Sequence, residues 1–93
     1  MQIRYFAAAA AATGLEEQHL DLAAHRGAGD FTLADLSAHL VAEHPVSASA
    51  HVPALAEVLT RCSFLLNEAA AGGPDTVLAQ DDVVDVLPPF AGG

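Results

Sequence analysis

Few side chains of this sequence belong to the types that perform catalysis or bind metal ions. Cys62 is the single cysteine, and it begins an apolar stretch, where a buried and unreactive thiol is the expected state. Only His39 and His44 lie on or near one predicted helix, and their separation of five differs from the i, i+4 spacing of a two-histidine metal site. We therefore expect no metal site and solvated histidines, namely His19, His25, His39, His44 and His51.

The C-terminal run VDVLPPFAGG, residues 84–93, combines residue types in an unusual order. Residues 83–87 are apolar on both faces except at Asp85, which predicts a strand in the middle of a sheet. Pro88 and Pro89 must end its ladder, because proline has no N–H to donate. They also stiffen the exit from the sheet, although they could merely end an edge strand.

The last four residues are Phe90, Ala91, Gly92 and Gly93. Glycine lacks a Cβ atom, so the end of the chain can enter a narrow channel. Fully extended, residues 88–93 span roughly 20 Å, enough to reach into a partner protein. Phe90 could anchor such a tail at the mouth of the channel or fold back on the sheet, and the glycines could be flexible debris.

The charge of the sequence is strongly negative. Twelve acidic residues against three arginines and no lysine give a formal net charge of −9. Nucleic-acid and anionic-membrane binding are disfavoured because both depend on Lys and Arg. A basic protein partner is favoured, with Asp81, Asp82 and Asp85 as a candidate patch, although acidity could serve only solubility and a charged turn is the default. Without lysine, no side chain can accept an isopeptide bond.

Hydrophobic periodicity predicts the elements of the first half. Residues 2–6 and 17–22 alternate like two paired strands, with the leucines of the second facing inward. Between them, the six alanines of residues 7–12 are too few for an independent helix and predict one helical turn ended by Gly14.

A longer helix follows. Thr32 and Asp35 have the spacing of a capping box, and Pro45 marks the stop. Its apolar stripe consists of Leu33, Leu36, Leu40 and Val41. Beyond it, Pro53 is predicted at the first position of a short helix.

The second half predicts further strands. Residues 62–67 predict a strand, residues 68–74 a turn-rich break, and residues 76–78 a short edge strand. The order of strand, strand, helix, strand, strand indicates an α+β domain of two layers, in which one main helix covers one face of a mixed four- to five-stranded sheet. This is the order of the β-grasp, ubiquitin-like fold, with residues 1–87 as the domain and residues 88–93 as an extended tail. Periodicity alone leaves other small α+β arrangements open.

The whole chain resembles the small-subunit family of molybdopterin synthase, which consists of ubiquitin-like sulfur carriers. The resemblance is carried by IRYFA at residues 3–7, the alanine-rich connector, the capped helix, RCSFLLN at residues 61–67 and DDVVDVLPPFAGG at residues 81–93. Its specific part is the last strand followed by two prolines, an apolar residue, a small residue and Gly-Gly. Two departures are Asp81–Asp82 in place of the family's Gly-Asp, which affects a turn position with φ above zero, and the loosely patterned loop 46–53.

This resemblance implies that the α-carboxylate of Gly93 is the reactive group and that residues 88–93 bind the partners. An ATP-dependent adenylyltransferase resembling ubiquitin-activating enzymes would adenylate it, and a sulfur donor protein would convert it into a thiocarboxylate. The large subunit would use that sulfur to thiolate cyclic pyranopterin monophosphate. The chain would then be the non-catalytic subunit of a heterotetrameric transferase. AMP and the thiocarboxylate would be transient modifications, with no permanently bound cofactor.

Alternatives remain at this stage. A related carrier could serve thiazole synthesis or tRNA thiolation, and a ubiquitin-like binding module or protein modifier would involve no sulfur chemistry. Phe64 and Leu87 are candidates for a docking patch, with core burial as the alternative. The N-terminal MQIRYFAAAAAATG is interpreted as a strand and connector and not as a secretory signal, and no stretch approaches the roughly 18 apolar residues of a membrane span. A cytoplasmic protein is the expectation.

Overall fold

The computed structural model of the protein describes residues 1–25 and 29–89. Within these ranges the chain forms five strands, three α-helices and a 3₁₀ turn. In chain order they are β1 (Gln2–Tyr5), α1 (Ala8–Thr13), β2 (Glu17–His19), the 3₁₀ turn (Leu22–His25), α2 (Leu33–Glu43), α3 (Leu55–Leu59), β3 (Ser63–Leu66), β4 (Ala69–Ala70) and β5 (Val83–Leu87). Among the residues described, no helix has both the length and the apolar character needed to cross a membrane.

The strands form one mixed sheet in the order β2-β1-β5-β3-β4. The last strand, β5, pairs in parallel with β1 and antiparallel with β3, so its predicted place in the middle of the sheet is confirmed. This strand order, with α2 as the main helix, is that of the β-grasp, ubiquitin-like fold, as predicted. The residues that follow β5 therefore leave from the centre of one edge of the sheet.

The core lies between one face of the sheet and the helices. Ile3 and Tyr5 of β1, and Val84 and Val86 of β5, are at most 3% exposed and form one cluster with leucines of α2 and α3. Burial of an aliphatic side chain of this size stabilises the fold by about 1.5–3 kcal/mol. Because strand side chains alternate, the residues between them point to the opposite face of the sheet.

Helix α2 forms where local signals predict it. The Thr32 Oγ1 accepts a hydrogen bond from the Asp35 N–H, while the Asp35 carboxylate accepts one from the Thr32 N–H at 2.9 Å. This reciprocal capping box satisfies two backbone donors that would otherwise lack helical partners. The predicted stripe is buried at Leu33, Leu36 and Leu40 and half-buried at Val41. The helix ends at Glu43, two residues before Pro45.

The hairpin between β3 and β4 differs from the sequence prediction. Asn67 and Glu68 have φ values of 51° and 71°, the pair of positive angles that a two-residue type I′ turn needs. Residues 69–70 therefore pair with β3, although this stretch was predicted as part of a turn-rich break. The predicted edge strand at residues 76–78 contributes a single bridge, between Val77 and Thr32.

Local signals predict one of three shorter segments correctly and miss the bounds of the other two. The alanine-rich helix α1 ends at Gly14, which has φ 75°, as predicted. The second strand is shorter than predicted and ends at His19, after which the chain enters the 3₁₀ turn. The prediction for Pro53 is wrong, because Ala54 has an extended backbone and occupies the N-cap of α3, which leaves Pro53 outside the helix.

Candidate functional site

The predicted tail begins at the edge of the sheet where β1 and β5 both end. These strands are parallel, so their C-terminal ends meet, and the Phe6 N–H donates a hydrogen bond to the Val86 carbonyl at 3.3 Å. Pro88 is half-buried and Pro89 is exposed. The four remaining residues of the predicted site, Phe90, Ala91, Gly92 and Gly93, lie outside the described residues.

An apolar side chain beside this exit was missed by the sequence analysis. Phe6 directly follows β1, and its residue is 41% exposed, whereas its neighbour Tyr5 is 3% exposed. The strand alternation contained the signal, because an inward Tyr5 requires an outward Phe6. Of the two predicted docking residues, Phe64 packs against the core and Leu87 is half-buried on the strand that leads into the tail.

A partly buried ion pair joins the two parallel strands. The Arg4 guanidinium donates from Nε to Asp85 Oδ1 at 2.5 Å and from Nη2 to Asp85 Oδ2 at 2.9 Å. The Asp85 side chain is 7% exposed and that of Arg4 is 37% exposed. The hydrogen bond to Asp85 raises the pKa of Arg4. Asp85 is therefore bound within the sheet, and the predicted acidic patch of Asp81, Asp82 and Asp85 does not form.

Asp82 closes the turn that precedes β5. Its carboxylate accepts hydrogen bonds from the Ala79 N–H at 2.7 Å and from Asn67 Nδ2 at 2.9 Å. Asp81 stays exposed, and neither aspartate has a positive φ. This chain therefore replaces the expected Gly-Asp turn with one that side-chain hydrogen bonds stabilise, which explains how Asp81 is tolerated there.

An open groove of about 560 Å³ lies between the end of β1, the start of β2 and helix α1. Its lining consists of Arg4, Tyr5, Phe6, Ala7, Ala10, Glu16 and Glu17. Ala7 has φ 50° and ψ −123°, a backbone conformation that non-glycine residues rarely adopt. Phe6 lines the groove and also lies beside the end of β5, where the predicted tail begins. A protein that binds the tail would therefore also contact the groove.

The histidines do not all lie at the solvated surface, as the sequence analysis expected. His19 and His51 are exposed, but His39 and His44 are half-buried. His44 Nε2 and the Tyr5 hydroxyl contact Gln18 Oε1 at 3.1 and 2.8 Å.

Glu43 extends this network. Its Oε1 accepts from Gln18 Nε2 at 2.5 Å and lies 3.1 Å from His39 Nε2. Burial, with a smaller effect from Glu43, raises the pKa of Tyr5. This polar network ties the end of α2 to β1 and β2. In the described part of the chain, no cluster of three or more His, Cys, Asp or Glu side chains could hold a metal ion.

Cys62 is half-buried, less than the fully buried state that the sequence predicts. Its Sγ donates to the Val58 carbonyl at 3.2 Å, and burial raises its pKa to about 11. The thiol is therefore protonated at neutral pH and is a poor nucleophile.

Solved structures resemble this fold over nearly the whole chain. SAMP1 from Haloferax volcanii has a TM-score of 0.70 at 26% identity, covering 99% of this chain and 97% of its own. A complex of subunits 1 and 2 of the molybdopterin-converting factor from Helicobacter pylori matches with a TM-score of 0.58 at 26% identity, covering 99% and 96%. A second structure, of H. volcanii small archaeal modifier protein 1, shares the fold, with a TM-score of 0.66 at 22% identity and coverage of 96% and 95%.

The fold and these neighbours define a ubiquitin-like protein of the sulfur-carrier class. Residues 3–93 match the ThiS family, and the chain belongs to this family. The match extends through the Gly-Gly end. A search of curated proteins finds no significant match. The neighbour from H. pylori is a protein–protein complex of two subunits.

Proposed function

We propose that this chain is the small subunit of molybdopterin synthase and that Gly93 carries its sulfur. The observation that carries the proposal is the family match through Gly93 on a chain whose last strand lies in the middle of the sheet. The likeness to the H. pylori molybdopterin-converting factor over 99% of the chain supports this pathway.

The chemistry takes place at the chain end. The Gly93 carboxylate attacks the α-phosphorus of ATP and releases pyrophosphate, which converts an unreactive carboxylate into an acyl-adenylate. A donor persulfide then displaces AMP, and a thiol cleaves the resulting acyl disulfide to leave the thiocarboxylate. The large subunit transfers this sulfur to cyclic pyranopterin monophosphate, and the carboxylate is regenerated. Two such transfers supply the two sulfurs of the dithiolene.

The described residues of this chain have a supporting role in this scheme. β5 holds Pro88 at the sheet edge, and Phe6 offers an apolar contact next to it. Proline restricts the backbone beyond β5, which reduces the entropy that the tail loses on binding. Cys62, with its raised pKa, is not needed as a nucleophile.

A second candidate is a protein modifier like the small archaeal modifier protein of H. volcanii. The TM-score of 0.70 to SAMP1, against 0.58 to the H. pylori complex, favours this candidate. A modifier joins its terminal carboxylate to a lysine of another protein, and the acyl-adenylate is a common intermediate for both outcomes. Since this chain has no lysine, it cannot build lysine-linked chains on itself. Carriers for thiazole synthesis or tRNA thiolation share the thiocarboxylate and differ in the acceptor.

Mass spectrometry of the intact protein tests the proposal. After incubation with the activating enzyme, ATP and a sulfur donor, we expect one oxygen at Gly93 to be replaced by sulfur. The product should then yield molybdopterin when mixed with the large subunit and cyclic pyranopterin monophosphate. An unchanged mass would exclude a sulfur carrier, and a thiocarboxylate that is inert with the large subunit would assign another pathway.

A variant lacking Gly93 is the control for the reacting group. It should keep the thermal stability of the parent protein and lose sulfur transfer. Dithiolene formation by this variant would show that the chain end is not the reactive group.

A further inference from the structure

We propose that the groove between β1, β2 and α1 binds an arginine side chain of the large subunit, next to the entry point of the tail. This inference rests on the proposed function, because it names a contact made by the same partner. Three properties of the groove lead to it: its charge, its apolar floor and its position.

The groove carries an excess of negative charge. Across the sheet, Asp85, Arg4 and Glu17 occupy neighbouring positions on β5, β1 and β2, so the guanidinium lies between two carboxylates. Asp85 already holds Arg4 through two hydrogen bonds. The Glu17 carboxylate also accepts a hydrogen bond from Gln2 Nε2. Glu16 adds a third carboxylate at the rim: its backbone carbonyl accepts from the Tyr5 N–H at 2.8 Å, but its side chain forms no hydrogen bond or ion pair with any residue in the described ranges. The lining therefore holds one cation and two carboxylates, and the cation is already paired with Asp85 beneath it, so an incoming anion would be repelled.

The remaining lining suits the stem of a long cationic side chain. Phe6 is exposed, and Ala7 and Ala10 leave room because their side chains are single methyl groups. The aliphatic part of an arginine can lie along such a surface while its charged end stays in water. A planar guanidinium can also stack on the ring of Phe6 and bind carboxylates through paired N–H groups. A lysine ammonium can also lie over an aromatic ring, but it lacks the planar fork that binds a carboxylate through paired N–H groups, which favours arginine.

The position of the groove indicates which protein supplies the arginine. Phe6 lines the groove and is hydrogen-bonded through its N–H to Val86, two residues before Pro88. A protein that receives the tail must therefore cover the sheet edge beside the groove. The overall charge of −9 further favours a basic surface on that protein.

The test compares two pairs of substitutions that remove the same charge. Glu16→Gln with Glu17→Gln acts on the groove. Asp75→Asn with Asp81→Asn is the control, because both aspartates are exposed and lie away from the groove. Asp81 precedes β5, at the opposite edge of the sheet, and Asp75 lies near the start of α2, whereas the end of α2 approaches Tyr5. The affinity for the purified large subunit is measured by titration calorimetry at low and high salt.

We expect the groove pair to weaken binding about tenfold at low salt, and the control pair to stay within about twofold of the parent protein. High salt should reduce the difference. Equal affinities of the two pairs would overturn the proposal. The proposal would also be overturned if sedimentation shows that the groove pair abolishes self-association of this chain, because a second copy would then occupy the groove.

Sulfur transfer at saturating large subunit separates this inference from the proposed function. If transfer occurs and the groove pair binds normally, only the groove proposal fails. If the parent protein neither binds the large subunit nor transfers sulfur to it, the proposed function fails, and the groove contact is refuted with it.

Discussion

Arg4 and Asp85 lie opposite each other on the parallel strands β1 and β5, joined by two hydrogen bonds although 81 residues separate them in the sequence. Asp85 is almost fully buried, so its carboxylate depends on the guanidinium in place of water. The pair connects the first strand of the chain to the strand from which the tail departs.

Removal of one partner of the Arg4–Asp85 pair should destabilise the fold more than removal of both. Arg4→Met leaves a buried carboxylate without its cation, and we expect a clear decrease in the urea concentration at the unfolding midpoint. The double variant Arg4→Met with Asp85→Leu removes both charges and should recover much of that loss. Urea unfolding curves followed by circular dichroism measure both. An Arg4→Met variant as stable as the parent would show that the pair does not stabilise the sheet.

Glu68→Gly should stabilise the protein by about 0.5–1 kcal/mol, because glycine adopts the positive φ of this turn position without strain. At Glu68 the φ value is 71°. Glu57→Gly removes the same side chain from α3, where φ is helical, and should destabilise by about 1 kcal/mol. Chemical unfolding compares the two. The same sign of change in both variants would contradict the role given to the turn.

Thr32→Ala should lower the free energy of unfolding by about 1 kcal/mol, because it removes the hydroxyl that accepts from the Asp35 N–H. Thr32→Ser keeps an equivalent hydroxyl and serves as the control, with a smaller loss. Thermal unfolding of both variants provides the comparison. Equal losses would mean that the methyl group of Thr32, and not the capping box, stabilises this end of α2.

Stability should fall at alkaline pH in a way that depends on Cys62. Its pKa rises from 9.0 to about 11 on folding, because burial disfavours the thiolate. Below about pH 9 the thiol is protonated in both states, and the stabilisation is fully present. As pH rises to about 11, the unfolded chain loses this proton more readily, and stability decreases.

The decrease should be about 1 kcal/mol, less than the full pKa shift would give, because the thiol is only half-buried. Cys62→Ala is the control, since it lacks this titration and keeps that of Tyr5, whose pKa is also raised. Urea unfolding between pH 8 and pH 11 measures how the free energy of unfolding changes with pH in each of the two proteins. Parallel curves for the two proteins would exclude the thiol as the source.

Several elements were predictable because their causes are local. The Thr32–Asp35 capping box and the spacing of the leucines predicted α2, and Pro45 lies just beyond its end. Gly14 ended α1 because a left-handed residue stops a helix wherever it occurs. The apolar residues on both faces of β5 predicted a central strand, and the sheet places it there.

Other features depend on residues that are distant in the chain. The type I′ turn at Asn67 and Glu68 was not recognised, because its residues are not the Asn-Gly pair that signals such a turn. Asn67 reaches Asp82 and the Val83 N–H, so contacts across the fold support the turn. The contact that half-buries His44 likewise comes from a distant residue, Gln18 on β2.

The sequence by itself determined the succession of strands and main helix along the chain, the acidic charge and the Gly-Gly ending, because these follow from periodicity, composition and the order of residue types. Only the tertiary structure decided that Asp85 binds Arg4, that Phe64 faces the core, and that Phe6 and two glutamates flank one groove. The physical reason is that strand pairing sets which distant side chains become neighbours, and the alternation along a single strand does not contain its register.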